Sequence, residues 1–233
     1  MTTVAIHQPN YLPWMGYFLK MASSDVFIFH DAVTLNTNGY TRRAFIRNPN
    51  GDEPRRLSVS LSYASQNTLI KDVLDSDKVD WKSGHLNQIN QVYGNSPHFD
   101  AVYPWFESIY LEYGEQHLSA FNQYVILQLC NYLEIDCKCY LSSELVMTGA
   151  TTSDKHISII EQVGGTRYLS GIGGREYQTT EEFADADIQL DYIESFDILT
   201  KDVGDERAQL SIVDYIFDYS QEELITMIKR LSL

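Results

Sequence analysis

The first thirty-three residues alternate between short apolar runs and polar breaks, in an order that predicts two strands joined by a helix. Residues 3–8 form an apolar run that ends in polar side chains, and residues 25–33 form a second run rich in aromatic and β-branched residues. Between them, residues 15–24 place apolar side chains at helical spacing, after a turn flanked by two prolines. This order is typical of the βαβ unit of a parallel sheet.

The rest of the chain predicts a hairpin, a helical segment and a return to alternating strands and helices. A hairpin over 43–61 turns at Pro49-Asn50-Gly51, and 69–74 gives a weaker strand signal. The later predictions are three amphipathic helices within 81–133, strands at 137–145, 166–171 and 186–194, and helices at 153–165 (N-cap Ser153, C-cap Gly164 and Gly165), 210–220 and 221–233. We therefore predict one α/β domain over 1–233, Rossmann-like by analogy. Its sheet is mostly parallel, and it has a helical insertion or subdomain near 81–133.

Composition and charge exclude several classes of protein. The net charge is −15, and all of it comes from residues 81–233, because residues 1–80 hold eight basic and eight acidic side chains. A nucleic-acid binder or a protein of anionic membrane surfaces would show the opposite sign. We find no apolar run long enough to span a bilayer, no signal peptide, no metal-binding motif and only three cysteines, so we expect a cytoplasmic protein without a metal. The sixteen tyrosines and ten phenylalanines leave room for an interface between copies.

The first group of candidate residues follows the first predicted strand. His7 and Gln8 lie at its carboxyl end, where parallel sheets bind ligands, and the next helix offers free N–H groups to an anion. The nearby residues that we expect to bind substrate are Asn10, Tyr11, Trp14 and Tyr17. The alternative is a histidine satisfied within the core beside a rigid proline turn.

A second group is basic. Five arginines lie within fifteen residues of this acidic chain: Arg42, Arg43, Arg47, Arg55 and Arg56. Guanidinium groups bind phosphate or carboxylate through paired hydrogen bonds, so Arg42 and Arg43 are candidates for substrate contacts. The alternative is the charged surface of an ordinary hairpin.

A glycine-rich segment and two isolated residues complete the candidates. The segment 168–177 follows a predicted strand, and its candidate residues are Tyr168, Ser170, Gly171 and Tyr177. Its glycines permit a close approach to an anion or a sugar, but the spacing fits neither a Walker motif nor GxGxxG, and a flexible turn is the alternative. Asp31 ends the second strand and is a candidate base or a turn former. His85, four residues after Trp81, is a candidate binding residue or a packing residue.

Together these motifs resemble the WbqC-like protein family. The resemblance rests on His7-Gln8-Pro9-x-Tyr11-x-Pro13-Trp14-x-Gly16-Tyr17, Arg43-x-x-Ile46, Pro49-Asn50-Gly51, Trp81-x-x-x-His85, Tyr168-x-Ser170-Gly171 and Leu210-Ser211-Ile212-Val213-Asp214. It extends over nearly the whole chain. The chain departs from the family pattern at Arg42-Arg43-Ala44-Phe45, where Asn-Arg-Asn is usual, which is consistent with a different substrate.

The resemblance implies an acyltransferase that joins glycine or another amino acid to an amino sugar, which we expect to be nucleotide-linked. The implied process is the biosynthesis of bacterial O-antigen or another surface polysaccharide. The donor stays open, with ATP or an aminoacyl carrier as options. In this hypothesis His7 and the following helix hold phosphates, by analogy with HIGH-motif nucleotidyltransferases. Arg43 stabilises charge in the transition state, and Asp31 binds or deprotonates the amine.

Two other functions compete with this one. The first is a non-catalytic module that binds a sugar nucleotide or a glycan through the same aromatic and arginine side chains. Co-purification of an unaltered ligand would favour it. The second is transfer of an amino acid to another acceptor, such as a modified base, and the acidic charge argues against a nucleic-acid acceptor.

Overall fold

A five-stranded parallel sheet lies at the centre of the fold, with helices on both of its faces. The computed structural model describes residues 1–63 and 67–232. The strands of this part of the chain are β1 (Thr3–His7), β2 (Val26–Phe29), β3 (Arg43–Ile46), β4 (Arg55–Ser58), β5 (Leu61–Tyr63), β6 (Leu74–Asp75), β7 (Lys138–Leu141), β8 (Arg167–Gly171) and β9 (Gln189–Ile193). Its α-helices are α1 (Met15–Ala22), α2 (Trp81–Tyr93), α3 (Phe99–Leu111), α4 (Leu118–Tyr132), α5 (Thr152–Gln162), α6 (Thr180–Ala184), α7 (Ser195–Val203), α8 (Asp205–Ala208), α9 (Val213–Ile216) and α10 (Gln221–Leu231).

The strand order β7-β2-β1-β8-β9 places a topological switch between β1 and β8. From β1 the chain moves outwards to β2 and then β7, and it later returns to pair β8 with the other edge of β1, with β9 beyond it. All four pairings are parallel, which confirms the predicted α/β fold and its opening βαβ unit. The helices that follow β1 and β8 pack on opposite faces, so a crevice opens between the carboxyl ends of these two strands.

Alternate residues of β1 pack on the two faces of the sheet. Ala5 joins the larger core with α1, whereas Val4 and Ile6 join a smaller core with Ile159 of α5 and Phe183 of α6. Because β1 and β2 are covered on both faces, their sequences are continuous apolar runs rather than alternating ones.

The predicted hairpin is confirmed, but the weak strand signal at 69–74 was mostly wrong. β3 and β4 pair antiparallel, whereas Ile70–Asp72 is a short 3₁₀ helix and only Leu74–Asp75 is a strand. The amides of Ile70 and Lys71 donate to the carbonyls of Val33 and Asp31 at 2.9 and 3.0 Å. The segment therefore wraps around the end of β2 instead of pairing along a sheet.

The three helices predicted within 81–133 are confirmed as α2, α3 and α4. They pack against the loop between β1 and α1, where Tyr11 contacts α2 and α3 and the side chain of Asn122 on α4 bonds to the loop backbone. No helix in the described ranges is long and apolar enough to cross a membrane.

Several boundaries in the second half of the chain differ from the predicted ones. The N-cap of α5 is Thr151, not Ser153, because Thr151 and Asp154 form a reciprocal capping box. Its C-cap is Val163, and Gly164 follows with a φ of +72°. The helix predicted at 210–220 is shortened to α9, and α6, α7 and α8 were not predicted. The glycine-rich loop forms a 3₁₀ helix over Ile172–Glu176.

Candidate functional site

Two adjoining cavities open at the carboxyl ends of β1 and β8, at the topological switch of the sheet. The larger has a volume of about 540 Å³ and the smaller about 380 Å³. His7, Lys20 and Gly171 line both, so the cavities meet at these three residues. This is the place where open parallel sheets bind their ligands.

The larger one, the aromatic cavity, combines aromatic rings with two carboxylates. Its aromatic side chains are Trp14, Tyr17, Tyr40 and Phe196, and its carboxylates are Glu194 and Asp197. The side chains of Tyr40 and Phe196 are 60% and 41% exposed, so these rings lie at the mouth of the cavity. A wall of this kind suits a sugar, whose apolar face stacks on rings and whose hydroxyl or amino groups bond to carboxylates.

Two further features shape the aromatic cavity. A Cβ atom on Gly16 would collide with the ring of Trp14, so glycine is what lets this ring lie against the start of α1. Asn10 is only 5% exposed and lines this cavity, so its side-chain amide is placed to contact a ligand there.

The smaller one, the histidine cavity, is lined by three of the six histidines of the chain together with Lys20. The three histidines are His7, His30 and His156. No Asp or Glu occurs among the described residues that line it. In a chain of net charge −15, this wall holds a lysine and three imidazole rings with no carboxylate among its described residues.

His7 is neutral, and one of its ring nitrogens is free. Burial and the neighbouring Lys20 lower its pKa to about 3. Its Nδ1 lies 3.2 Å from the carbonyl oxygen of Gln8, which can only accept, so Nδ1 carries the proton. Nε2 therefore has a lone pair, with no bonded partner among the residues described.

Lys20 is a buried amine without an acidic partner. Its side chain extends from α1, where Nζ donates to the carbonyl oxygen of Ile6 at 2.8 Å. Burial lowers its pKa to about 7, and no ion pair within the described residues opposes this effect. Lys20 therefore gives up its proton far more readily than an exposed lysine does.

A short hydrogen-bond chain fixes the protonation of His156. The Ser170 hydroxyl donates to Oε1 of Gln178 at 2.9 Å, so the amide nitrogen of Gln178 points to Nδ1 of His156 at 3.0 Å and donates to it. The proton of this neutral ring consequently lies on Nε2, and burial lowers the pKa of His156 to about 3.

His30 is the third histidine of this wall. Its ring packs edge-on against His156, with ring centres 5.3 Å apart, and its buried Nδ1 has no hydrogen-bond partner in the described ranges. Burial lowers its pKa to about 4. Such an unpaired buried nitrogen costs free energy unless a ligand or water satisfies it.

Comparison with known proteins identifies a family for this chain. The model of the WbqC-like protein family matches residues 8–226. The chain belongs to the WbqC-like protein family. Among its relatives is the uncharacterized protein Rv1507c of Mycobacterium tuberculosis (strain ATCC 25618 / H37Rv), 28% identical over 225 residues that cover 95% of this chain and 96% of that protein. No solved structure matches the chain.

Most of the candidate residues chosen from the sequence lie at the two cavities. His7 lines both, as does Gly171. Asn10, Trp14 and Tyr17 line the aromatic cavity, and Gln8, Tyr168, Ser170 and Tyr177 line the histidine cavity. Tyr17 also donates to the carbonyl oxygen of Gln8 at 3.1 Å, which fixes the chain just after His7.

Tyr11 and His85 lie elsewhere, in a buried aromatic cluster with Trp81, Tyr110 and Phe121. The Tyr11 hydroxyl lies 2.7 Å from Nδ1 of His85 and also bonds to Tyr110. Neither residue lines the two cavities. Their contacts are those of packing residues, which was the alternative interpretation of His85.

Asp31 and the two arginines also lie outside the cavities. Asp31 is buried, and its carboxylate accepts hydrogen bonds from Ser142 and Ser143 at 2.8 to 3.1 Å, so it fixes the loop after β7. Arg43 donates to the backbone and side chain of Asn38, at 3.2 and 3.0 Å. Arg42 lines neither cavity. Arg43 instead lines a small cavity that shares Asn10, Trp14 and Tyr40 with the aromatic cavity.

Sequence reasoning missed Lys20, His30, His156, Glu194 and Asp197 as site residues. A signal for one of them existed, because His156 lies on the apolar face of α5 at helical spacing from Ile159 and Ile160. Within the described residues, no group of three or more His, Cys, Asp or Glu side chains is arranged to hold a metal ion.

Proposed function

We propose that this protein is an acyltransferase that joins glycine or another amino acid to the amino group of a nucleotide-linked amino sugar. One observation carries the proposal: two cavities of different chemistry meet at the free Nε2 of His7 and the amine of Lys20. A transferase needs two substrate sites that share one reactive position. The cytoplasmic setting, which was expected from composition, and the role in O-antigen or surface-polysaccharide biosynthesis, which the family resemblance implies, are part of the proposal.

The chemistry assigned to His7 is that of a general base. In acyl transfer the amine nitrogen bonds to the acyl carbon, the bond from that carbon to the leaving group breaks, and the nitrogen must lose a proton. The Nε2 lone pair accepts this proton, since Nδ1 already carries its own. The attacking nitrogen becomes positively charged as it bonds to the acyl carbon, and this makes its proton acidic enough for a histidine of lowered pKa to accept. This role replaces the one we expected for Asp31, whose oxygens are occupied by Ser142 and Ser143.

The aromatic cavity is the proposed site of the amino sugar. Trp14 and Phe196 offer ring faces, with ring centres 6.3 Å apart, and Glu194 and Asp197 accept hydrogen bonds from hydroxyl or amino groups. The amide of Asn10 supplies a further polar contact. The acyl donor stays open between an adenylate made from ATP and an aminoacyl carrier.

The test is a transfer assay with His7→Gln. The purified chain is incubated with a nucleotide-linked amino sugar and either glycine with ATP or preformed glycyl-adenylate, and mass spectrometry follows the addition of one aminoacyl residue to the sugar. We expect His7→Gln to lower the turnover by about 10²- to 10⁴-fold, the usual contribution of a general base. His117→Gln, the same change at an exposed position, should leave it unaltered.

The competing functions give different results in this assay. A binding module would retain the sugar nucleotide unaltered with every donor, and a transferase for another acceptor would consume the donor without modifying the sugar. Full turnover by His7→Gln would refute the assignment of the base.

A further inference from the structure

The proposed function does not say which chemical group of the substrates the histidine cavity binds. We infer that it is a phosphate-binding subsite, in which Lys20, His30 and His156 bind the phosphate groups of a substrate. The inference deepens the proposed function, because it names where the phosphate of the nucleotide-linked sugar or of the donor lies. It rests on that function only for the identity of the substrate, since anion binding can be measured without turnover.

The first argument is the missing counter-charge of Lys20. A buried ammonium group is stable only when it is paired or hydrogen-bonded, and here the backbone carbonyl of Ile6 is its bonded partner. None of the described residues that line the cavity is a carboxylate. An anion in the cavity would supply the negative charge that Lys20 lacks. A cationic ligand would have no carboxylate in the cavity wall to pair with.

The second argument is the set of donors around the cavity. The fixed tautomer of His156 presents an N–H at Nε2, and the unpaired Nδ1 of His30 is a further donor once it is protonated. Thr152, the first residue of α5, lines the cavity, and N–H groups of a first helical turn have no acceptor within the helix. Gly173 and Gly174 allow the backbone to approach a ligand closely.

Among the described residues, the acidic groups near the cavity bond to other donors and not to Lys20, His30 or His156. Asp154 accepts from the amides of Ala150 and Thr151 at 3.0 and 2.9 Å. Glu182 accepts from the Ser153 hydroxyl at 2.9 Å and also caps α6. On the opposite side, Asp31 is bonded to Ser142 and Ser143.

Anion binding in the histidine cavity should weaken as the pH rises. Lys20, His30 and His156 lie close enough to interact electrostatically. The other titratable groups that interact with them are His7, Asp31 and Lys155. Burial holds the pKa of Lys20 near 7, and a bound dianion raises it, so above that pH binding must take up a proton. Sulfate keeps one charge state between pH 6 and pH 8 and isolates this effect. We expect it to bind about tenfold more weakly at pH 8 than at pH 6.

The experiment is calorimetric titration of the full chain with sulfate at both pH values and with pyrophosphate at pH 7. Lys20→Met should weaken pyrophosphate binding by about tenfold or more and should abolish the pH dependence of sulfate binding. His30→Gln provides a second variant, because the side chain of His30 makes no hydrogen bond in the described part of the chain. His117→Gln is the matched control and should bind both anions as the wild type does.

Further titrations show which phosphate-containing compound binds in the histidine cavity. ATP, a nucleotide-diphosphate sugar and a sugar 1-phosphate are titrated in turn, and the tightest ligand names the source, provided that Lys20→Met weakens it. Failure of sulfate and pyrophosphate to bind, or equal binding to the wild type and to folded Lys20→Met and His30→Gln, would overturn the inference. If the protein binds anions but shows no acyl transfer, the phosphate subsite is supported and the transferase function is refuted. If acyl transfer occurs but neither variant changes the affinity for any anion, the transferase function is supported and the phosphate subsite is refuted.

Discussion

The side-chain amide of Asn122 donates a hydrogen bond to the carbonyl oxygen of Pro9 at 2.8 Å, across 113 residues of sequence. The same nitrogen donates to the carbonyl oxygen of Thr41 at 2.7 Å. Asn122 is 1% exposed and lies on α4, whereas Pro9 follows His7 by two residues. One buried amide thus connects the helical region to the loop that positions the candidate base.

Replacing this residue should destabilise the fold. In Asn122→Ala the carbonyls of Pro9 and Thr41 lose their donor in a buried place, so we expect a loss of about 2–4 kcal/mol in the free energy of unfolding. Urea denaturation measures it. Asn131→Ala, at an exposed position of the same helix, is the control and should change stability by less than about 0.5 kcal/mol. Equal effects of the two changes would contradict the role of Asn122.

Asp214 should be the most costly carboxylate to remove. It is 2% exposed, its oxygens bond to Arg47 at 2.7 Å and Arg207 at 2.9 Å, and it accepts from the Tyr93 hydroxyl at 3.1 Å. Asp214→Ala leaves both guanidinium groups with Asp218 alone, so we expect a loss of about 3 kcal/mol, the lower end of the cost of breaking a buried pair.

The matched control for this network is Asp202→Ala. Asp202 pairs with Arg230 at 2.7 Å, but the Arg230 side chain is 58% exposed, and exposed pairs contribute about 0–1 kcal/mol. The two variants are compared by urea unfolding at pH 7. A loss for Asp214→Ala no greater than that for Asp202→Ala would show that the network does not stabilise the fold.

His7 and His156 should be neutral in opposite tautomers at pH 7. The carbonyl of Gln8 requires a proton on Nδ1 of His7, whereas the amide of Gln178 requires one on Nε2 of His156. Nitrogen chemical shifts of isotope-labelled histidine distinguish the two forms. Gln178→Glu replaces the donor with a carboxylate, so it should move the proton of His156 to Nδ1 and raise its pKa. Exposed Gln116→Glu is the control, and identical His156 spectra in both variants would refute the assignment.

The part of the site that was predictable from sequence is the part made by neighbouring residues. His7 and Gln8 were found because a buried strand ends there and a helix follows, and the sheet order then places β8 with Ser170 and Gly171 beside them. His156 lies on a helix 149 positions after His7, and only the packing of α5 on the sheet brings the two to one cavity.

Long-range contacts also explain why some candidates do not belong to the site. The end of a strand made Asp31 a reasonable base, but Ser142 and Ser143, more than a hundred residues later, occupy its carboxylate. His85 shares a helix face with Trp81, and the hydroxyl of Tyr11 completes its hydrogen bonding within the core. Such partners are set by the tertiary fold and cannot be read from local spacing.

Acid should destabilise the protein through its buried histidines. Burial lowers the pKa of His85 to about 4 and that of His156 to about 3, below the ordinary value of 6.5. Between these values the unfolded chain binds protons that the folded chain does not, so stability is fully present above pH 6.5 and falls as the pH drops toward 4. Each such histidine should remove about 2 kcal/mol between pH 7 and pH 5.

The contribution of His85 can be isolated by comparing how stability changes with pH. His85→Gln keeps a polar side chain beside Tyr11 but cannot titrate, so its loss between pH 7 and pH 5 should be smaller than that of the wild type by about 2 kcal/mol, whatever its absolute stability. His117→Gln, at an exposed position, should follow the wild-type curve. Urea unfolding at pH 7, 6 and 5 provides the three curves. Parallel curves for wild type and His85→Gln would mean that His85 titrates alike in the folded and unfolded states, against the burial that the structure shows.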